Sequence, residues 1–262
     1  MKFLIVGDVI GKPGRRVLST QLEKIRQTFD IDAVVVNGEN AAGGLGITRE
    51  VCEEILALGV DVITTGNHVW DKKEILEYIG EQPRLLRPLN YPEGVPGRGS
   101  GIFESGNKKW AAINLSGRVF MSPLDCPFQT VRKEVEYLKQ FTSIIIVDFH
   151  AEASSEKVAM GWFLDGKVSC IFGTHTHVDT ADERILPQGT AYITDVGMTG
   201  AQDSVIGIEI NEIIERFLKQ MPFRYKVARH NLKLNGVVVE IDEDTGRALD
   251  IFRISIPFEG ET

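Results

Sequence analysis

The feature that most constrains this chain is a repeated alternation. A short, continuously apolar run stops at Gly, Asn or Asp, and a stretch with helical periodicity follows. Residues 2–8 read KFLIVGD, a run with β-branched members halted by Gly7 and Asp8. An apolar run without alternation marks a strand buried on both faces, as in a parallel sheet covered by helices. Leu18, Leu22, Ile25 and Phe29 then recur at helical spacing and predict an amphipathic helix over residues 14–29. Asp32 to Val36 and Val60 to Thr64 repeat the strand pattern, ending at Asn37 to Asn40 (NGEN) and Thr65 to His68 (TGNH). Thr48 predicts the cap of a helix carrying Val51, Ile55, Leu56 and Leu58, and Asp71 the cap of another over Lys72 to Ile79. The order β-α-β-α-β-α requires parallel strands with helices packed on the sheet, hence an α/β fold.

The rest of the chain continues the theme with more antiparallel signals. Residues 88–101 carry Pro88, Pro92 and Pro96 and predict a surface loop. Ile102 to Glu104 and Trp110 to Leu115 predict a hairpin around Asn107. Val131, Val135 and Leu138 mark a helix, Ser143 to Phe149 a strand ending at His150, and Ser154 to Phe163 another helix. Val168 to Phe172 is the next strand, ending at Gly173 to His177 (GTHTH). Arg184 to Leu186 pairs with Thr190 to Thr194, and Ile208 leads into a helix over Glu212 to Lys219. Val237 to Ile241 and Leu249 to Ile256 flank the turn Asp242 to Gly246. No repeat or low-complexity tract divides the chain, which predicts one domain over residues 1–262 with two β-rich halves.

Composition narrows the function classes. With 29 Lys and Arg against 37 Asp and Glu, the formal net charge is −8, which excludes a dedicated binder of long nucleic acid. The opening apolar run, Phe3 to Val6, is too short for a membrane span or a signal-peptide core. Cys52, Cys126 and Cys170 are odd in number and form no CxxC pair, so they read as reduced thiols in a cytoplasmic protein.

The chemistry sits at the strand ends. Asp8, Glu39, Asn40, Asn67, His68, His150, His175 and His177 each follow a predicted buried strand closely. In open α/β sheets the carboxyl ends of the strands line the ligand crevice, so segments far apart in sequence converge there. Of the five histidines in the chain, four lie in this set, and the fifth, His230, reads as surface. Imidazoles with carboxylate and amide oxygens suit Zn, Mn, Fe or Co better than Ca or Mg. Eight candidate ligands exceed the needs of one ion and suit two ions about 3.5–4 Å apart, with Glu39 as the natural bridge. Gly7 to Pro13 imitates a phosphate-binding loop but has three residues between its glycines instead of four, and Pro13 stands where Ser or Thr is needed. Glu152, Asp165 and the Asp242 to Asp244 run read as solvated, and Gly197 to Gly200 as a plain turn.

Read in order, Gly7-Asp8, Gly38-Glu39-Asn40, Gly66-Asn67-His68, His150 and the Gly173 to His177 block resemble the calcineurin-like metallophosphoesterases, and most closely their YmdB-like branch. Asn114 to Met121 and Asp195 to Gly200 extend the resemblance over nearly the whole chain. Two departures from the wider superfamily fit that branch: Ile10 stands where most members place a ligating His, and Glu39 where most place a bridging Asp. The resemblance implies a four-layer α/β/β/α sandwich, a bacterial cytoplasmic setting, self-association into a homo-oligomer, and hydrolysis of cyclic nucleotides, 2′,3′-cyclic and also 3′,5′-cyclic. It implies a first ion on Asp8, Glu39 and His177, and a second on Glu39, Asn40, Asn67, His150 and His175. The missing imidazole at position 10 favours Fe or Mn over Zn, with Mg also compatible with the oxygen ligands. Hydroxide generated at the metals attacks phosphorus, and His68 protonates the leaving oxygen. Asp71 is a candidate to orient His68, although helix capping is its preferred reading here, and Arg118 is a candidate substrate contact. Two rival readings use the same residues: a phosphomonoesterase or nuclease, and a nucleotide-binding regulatory protein with little turnover.

Overall fold

The computed structural model describes residues 1–222 and 225–259. The chain opens with β1 (Lys2–Val6), β2 (Asp8–Val9), α1 (Gly11–Phe29), β3 (Ala33–Asn37), α2 (Arg49–Ala57), β4 (Val62–Thr64), α3 (Ile75–Tyr78) and β5 (Leu85–Leu86). Helix α1 starts three residues earlier than its apolar periodicity suggests; Pro13 is tolerated because N–H groups of a first turn have no intrahelical partner anyway. Asp30 ends it in the left-handed conformation (φ 53°), its N–H donating to the Arg26 carbonyl. Thr48 caps α2 as expected, accepting from the Val51 N–H at 3.2 Å. The helix expected over Lys72 to Ile79 shrinks to the single turn of α3, and Asp71 does not cap it.

The middle of the chain supplies β6 (Ser100–Ser105), β7 (Lys108–Ser116), α4 (Pro127–Leu138), β8 (Ile145–His150), α5 (Ser154–Leu164) and β9 (Cys170–Thr174). The last third adds β10 (Arg184–Ile185), β11 (Ala191–Ile193), β12 (Met198–Ala201), α6 (Ile210–Lys219), β13 (Leu232–Ile241) and β14 (Ala248–Pro257). The three expected antiparallel pairs all form: β6 with β7, β10 with β11, and β13 with β14. The segment read as a turn at Gly197 to Gly200 is instead β12, which pairs parallel to β2 and antiparallel to β13. Local composition favours a turn there, but two distant strands satisfy its backbone.

Among the described residues the strands form two sheets. One runs β2-β12-β13-β1-β3-β4-β5, with β14 also pairing β13, and the other runs β10-β11-β9-β8-β7-β6. Side-chain alternation along each strand divides the apolar residues between layers. In β1, Phe3 and Ile5 enter a core between the sheets with Val35, Trp110, Ile146 and Phe172. Leu4 and Val6 point the other way, toward Leu18, Leu22, Ile25 and Ile55 of α1 and α2. On the far side Ile113, Leu115 and Val147 pack against Val131 and Val135 of α4 and Met160 and Leu164 of α5. Three apolar cores between four layers are the α/β/β/α sandwich. Because β1, β3 and β4 run parallel, as do β7, β8 and β9, their carboxyl ends gather at one edge of the sandwich.

Candidate metal centre

Each strand end delivers one part of the site. Asp8 begins β2 immediately beyond β1, Glu39 and Asn40 follow β3, Asn67 and His68 follow β4, His150 ends β8, and His175 and His177 follow β9. Asp8, Glu39 and His150 are completely buried, and Asn40 nearly so. The structure brings all seven expected ligands and His68 into one contact network.

The tightest part is centred on His150 Nε2. It lies 2.9 Å from Asn67 Oδ1, 3.0 Å from Glu39 Oε1 and 3.0 Å from His175 Nδ1. Its other nitrogen, Nδ1, is 2.8 Å from Thr174 Oγ1, whose single proton goes to Asp148 Oδ1 at 2.7 Å. His150 Nδ1 therefore donates, and Nε2 turns a lone pair toward two oxygen acceptors and another imidazole. Buried acceptors facing one another are satisfied only by a shared cation, a proton or a metal ion. Ligand atoms of Glu39, His150 and His175 all lie within 4.8 Å of one another. Gly66 is required beside them, because a Cβ there would stand 2.2 Å from His150 Cδ2 and 2.3 Å from Glu39 Oε2.

The second part joins Asp8, Asn40 and His177. Asp8 Oδ1 lies 3.6 Å from His177 Nε2 and has no hydrogen-bond partner although it is buried. Asn40 Nδ2 is 3.1 Å from the same His177 nitrogen and 3.3 Å from Glu39 Oε1, so Asn40 joins this part of the site to the part centred on His150. His177 Nδ1 donates to the Ile206 carbonyl at 2.9 Å, which leaves Nε2 as the ligating atom. An orphaned buried carboxylate oxygen and a set of converging lone pairs fit a divalent-metal centre.

Electrostatics agree. Burial opposes charge on every group, but Asp8 outweighs it at His177, whose imidazole rises to about 9. Burial likewise opposes the His150 imidazolium, and Glu39 overrides it to raise that group. His175 falls to about 3 through burial and then the neighbouring positive His150. For Asp8 and Glu39 burial favours the acid form, yet His177 and His150 respectively hold both carboxylates below their ordinary range. A proton on His177 thus stands beside Asp8 in the electrostatic role of a cation.

The His175-Thr176-His177 turn is held in an unusual shape. His175 (φ 94°) and His177 (φ 64°) both have left-handed backbones, which non-glycine residues adopt only where surroundings enforce them. Asp8 Oδ2 accepts from the His175 N–H at 3.2 Å. Asp195 Oδ2 accepts from Thr176 Oγ1 (2.7 Å), the Thr176 N–H (3.3 Å) and Lys157 Nζ (2.6 Å). The sequence singles out neither Asp195 nor Lys157 as a site residue. It passes over Asp148 too, although an Asp inside the apolar strand Ile145–His150 is a visible signal. Burial pushes Asp148 up to about 7, against hydrogen bonds from Thr64, Thr174 and Asn37.

Other expectations are redistributed. Asp71 Oδ2 lies 2.8 Å from His68 Nδ1, so its carboxylate orients that imidazole, and the capping preference is corrected. Glu152 is half exposed but meets His175 Nε2 at 3.0 Å, and Asp165 is buried, accepting from the Gln188 N–H. Thr199 is buried within β12. Arg118 sits on the loop after β7, whose backbone N–H groups donate to Glu156; it does not line the site cavity. His230 is exposed, as expected. Cys52 and Cys170 are buried free thiols, and no described helix is long and apolar enough to cross a membrane.

Comparisons with known proteins identify the family. A family model described as YmdB-like protein matches residues 4–254. The 2′,3′-cyclic-nucleotide 2′-phosphodiesterase of Bacillus subtilis (strain 168) is 47% identical over 256 residues, covering 98% of this chain and 97% of that protein. The crystal structure of a hypothetical protein from Thermus thermophilus superposes with a TM-score of 0.92 at 39% identity, over 98% of this chain and 99% of the other. A phosphatase structure from Mycoplasma pneumoniae gives the same TM-score of 0.92 at 38% identity, over 98% and 93% of the two chains. The matched span includes every strand-end block from Asp8 to His177, and the chain belongs to the YmdB-like family of the calcineurin-like metallophosphoesterases.

Proposed function

We propose that this chain is a metal-dependent phosphoric diester hydrolase that opens 2′,3′-cyclic nucleotides. The observation that carries the reading is the convergence of Asn67 Oδ1, Glu39 Oε1 and His175 Nδ1 on His150 Nε2, beside a buried, unpartnered Asp8 Oδ1. The name of the Bacillus subtilis relative supports the substrate class. One ion would be held by Asp8, Asn40, Glu39 and His177, the other by Glu39, Asn67, His150 and His175, with Glu39 bridging. Asn40, whose Nδ2 contacts both His177 Nε2 and Glu39 Oε1, is placed with the first ion in this reading, where the resemblance implies the second. A single imidazole on the Asp8 side favours Fe or Mn there. When bound, the ions lower the pKa of water and neutralise charge on the phosphoryl oxygens.

The chain's own residues supply the remaining chemistry. His68 lines the cavity, and its backbone N–H donates to Glu39 Oε2 at 3.2 Å, which fixes the residue against the centre. Asp71 holds His68 Nδ1, so Nε2 is the nitrogen free to give a proton. Attack forms one new P–O bond from water and breaks the P–O2′ bond. The proton from His68 Nε2 goes to the departing O2′, leaving a 3′-nucleotide.

The test is hydrolysis of 2′,3′-cyclic AMP by metal-stripped protein reloaded with Mn or Fe(II), with the stripped protein as control. Metal-dependent release of 3′-AMP is expected. Absence of turnover from protein carrying two ions per chain overturns the substrate assignment, and failure to bind metal overturns the centre. Adenosine release from 3′-AMP would instead establish the phosphomonoesterase alternative.

A further inference from the structure

The cavity over the centre, about 500 Å³, has two unlike walls. One carries Glu39, Asn40, His68, His175 and His177, which the proposed chemistry uses. The other carries Ile206, Ile208, Ile213, Phe217 and Tyr225, which it does not. The two are physically joined, because the Ile206 carbonyl accepts the proton of His177 Nδ1 at 2.9 Å. Ile206 takes a left-handed backbone (φ 48°) to make that contact, and Gly207 leaves room for Ile10 beneath it.

This second wall leaves large apolar groups in water. Phe217 is 71% exposed and Ile206 50% exposed, facing the cavity that the polar residues of the centre line on its other side. Exposed apolar surface that borders a polar cleft marks a place for a ligand. The Tyr225 ring already carries the Arg216 guanidinium at 5.3 Å. The Phe217 ring stacks on no other ring among the described residues. A cyclic nucleotide has matching halves, an anionic phosphodiester and a flat base with apolar faces. The cavity volume falls within the usual range of about 300–1,000 Å³ for small-ligand sites.

We propose that the wall built from residues 205–217 and Tyr225 is the nucleobase subsite, with Phe217 as its stacking platform; the assignment rests on the phosphodiesterase reading above. Stacking needs only a π face, so purine and pyrimidine nucleotides should both be accepted, purines better through their larger area.

Titration calorimetry of Mn-loaded protein with 3′-AMP and with ribose 3-phosphate tests the subsite without turnover. The wild type should prefer 3′-AMP, and Phe217→Ala should lower that preference about tenfold while ribose 3-phosphate binds as before. Leu218→Ala, an exposed neighbour outside the cavity, should behave as wild type. A preference that survives Phe217→Ala, one missing from the wild type, or an equal loss for both ligands overturns the proposal. Failure of the phosphodiesterase reading would show separately, as no hydrolysis of 2′,3′-cyclic AMP by the metal-loaded wild type.

Discussion

Lys157→Met should destabilise the protein out of proportion to the change in volume. Lys157 and Asp195 form an ion pair of 2.6 Å whose side chains are only 2% and 1% exposed. Methionine keeps the length and apolar stem but leaves the Asp195 charge with the neutral donors of Thr176 and Gly197 alone. Breaking a buried pair by removing one partner costs about 3–5 kcal/mol, because the surviving charge stays desolvated. The neutral donors offset part of that penalty, which places the expected loss near the low end, about 3 kcal/mol. In a chain of this size each kcal/mol moves Tm by roughly 2–4 °C, so the loss reads as about 6–12 °C. The assay is thermal unfolding of metal-stripped protein by calorimetry. Adding Asp195→Asn to Lys157→Met removes the stranded charge while Asn can still accept from the Gly197 N–H, and should recover about half of the loss. Salt should leave the effect unchanged, since buried pairs are little screened. A Lys157→Met protein melting within about 2 °C of wild type refutes the reasoning, as does a double variant less stable than the single one.

Three further outcomes follow from the site. His68→Ala should lower kcat by about 10²–10⁴-fold while inductively coupled plasma analysis finds unchanged metal content, and Asp71→Asn should produce a smaller loss; an unchanged rate in His68→Ala removes it as proton donor. Gly66→Ala should abolish metal retention, because its Cβ would lie 2.2 Å from His150 and 2.3 Å from Glu39, and a variant that keeps two ions contradicts the packing. In metal-stripped protein Asp148, raised by burial to about 7, contributes stability that is fully present below its unfolded value near 4 and is lost as pH rises through about 7. Urea midpoints should therefore fall more steeply from pH 5 to pH 8 in wild type than in Asp148→Asn, and parallel curves for the two proteins would show that Asp148 does not titrate there.

The strand-end blocks are legible for a definite reason. A strand buried on both faces has no use for Asp8, Asn37 or His150 until it reaches the edge of the sandwich. The switch from continuous apolar residues to polar ones therefore locates the site as well as the strand. Asp71 is ambiguous in sequence because a cap and an imidazole partner both require a carboxylate one turn from the next group; its contact with His68 decides it. Strand β12 is invisible there because its partners, β2 and β13, are supplied from opposite ends of the chain. Glu152 reads as solvated, and its side chain is indeed half exposed, but no local pattern can say that His175 is its neighbour. Lys157 gives no signal at all, since its role depends on Asp195 arriving from a different strand end.

Ile10 links the metal centre to the apolar wall. It is 1% exposed, lines the cavity, and lies under Gly207, where an added Cβ would come within 2.7 Å of Ile10 Cγ2. A histidine there would add a nitrogen to the Asp8 side and put a polar ring beneath the segment that carries Ile206 and Ile208. With isoleucine, that side keeps one imidazole, His177, against the pair His150 and His175 on the other. Fewer nitrogens weaken the advantage of the later divalent metals, which supports the proposed preference for Fe or Mn. The same side chain gives Gly207 an apolar floor, and Gly207 follows Ile206, whose carbonyl holds His177. One residue thus bears on both halves of the proposed substrate, the phosphate through the metal it does not ligate and the base through the wall it supports.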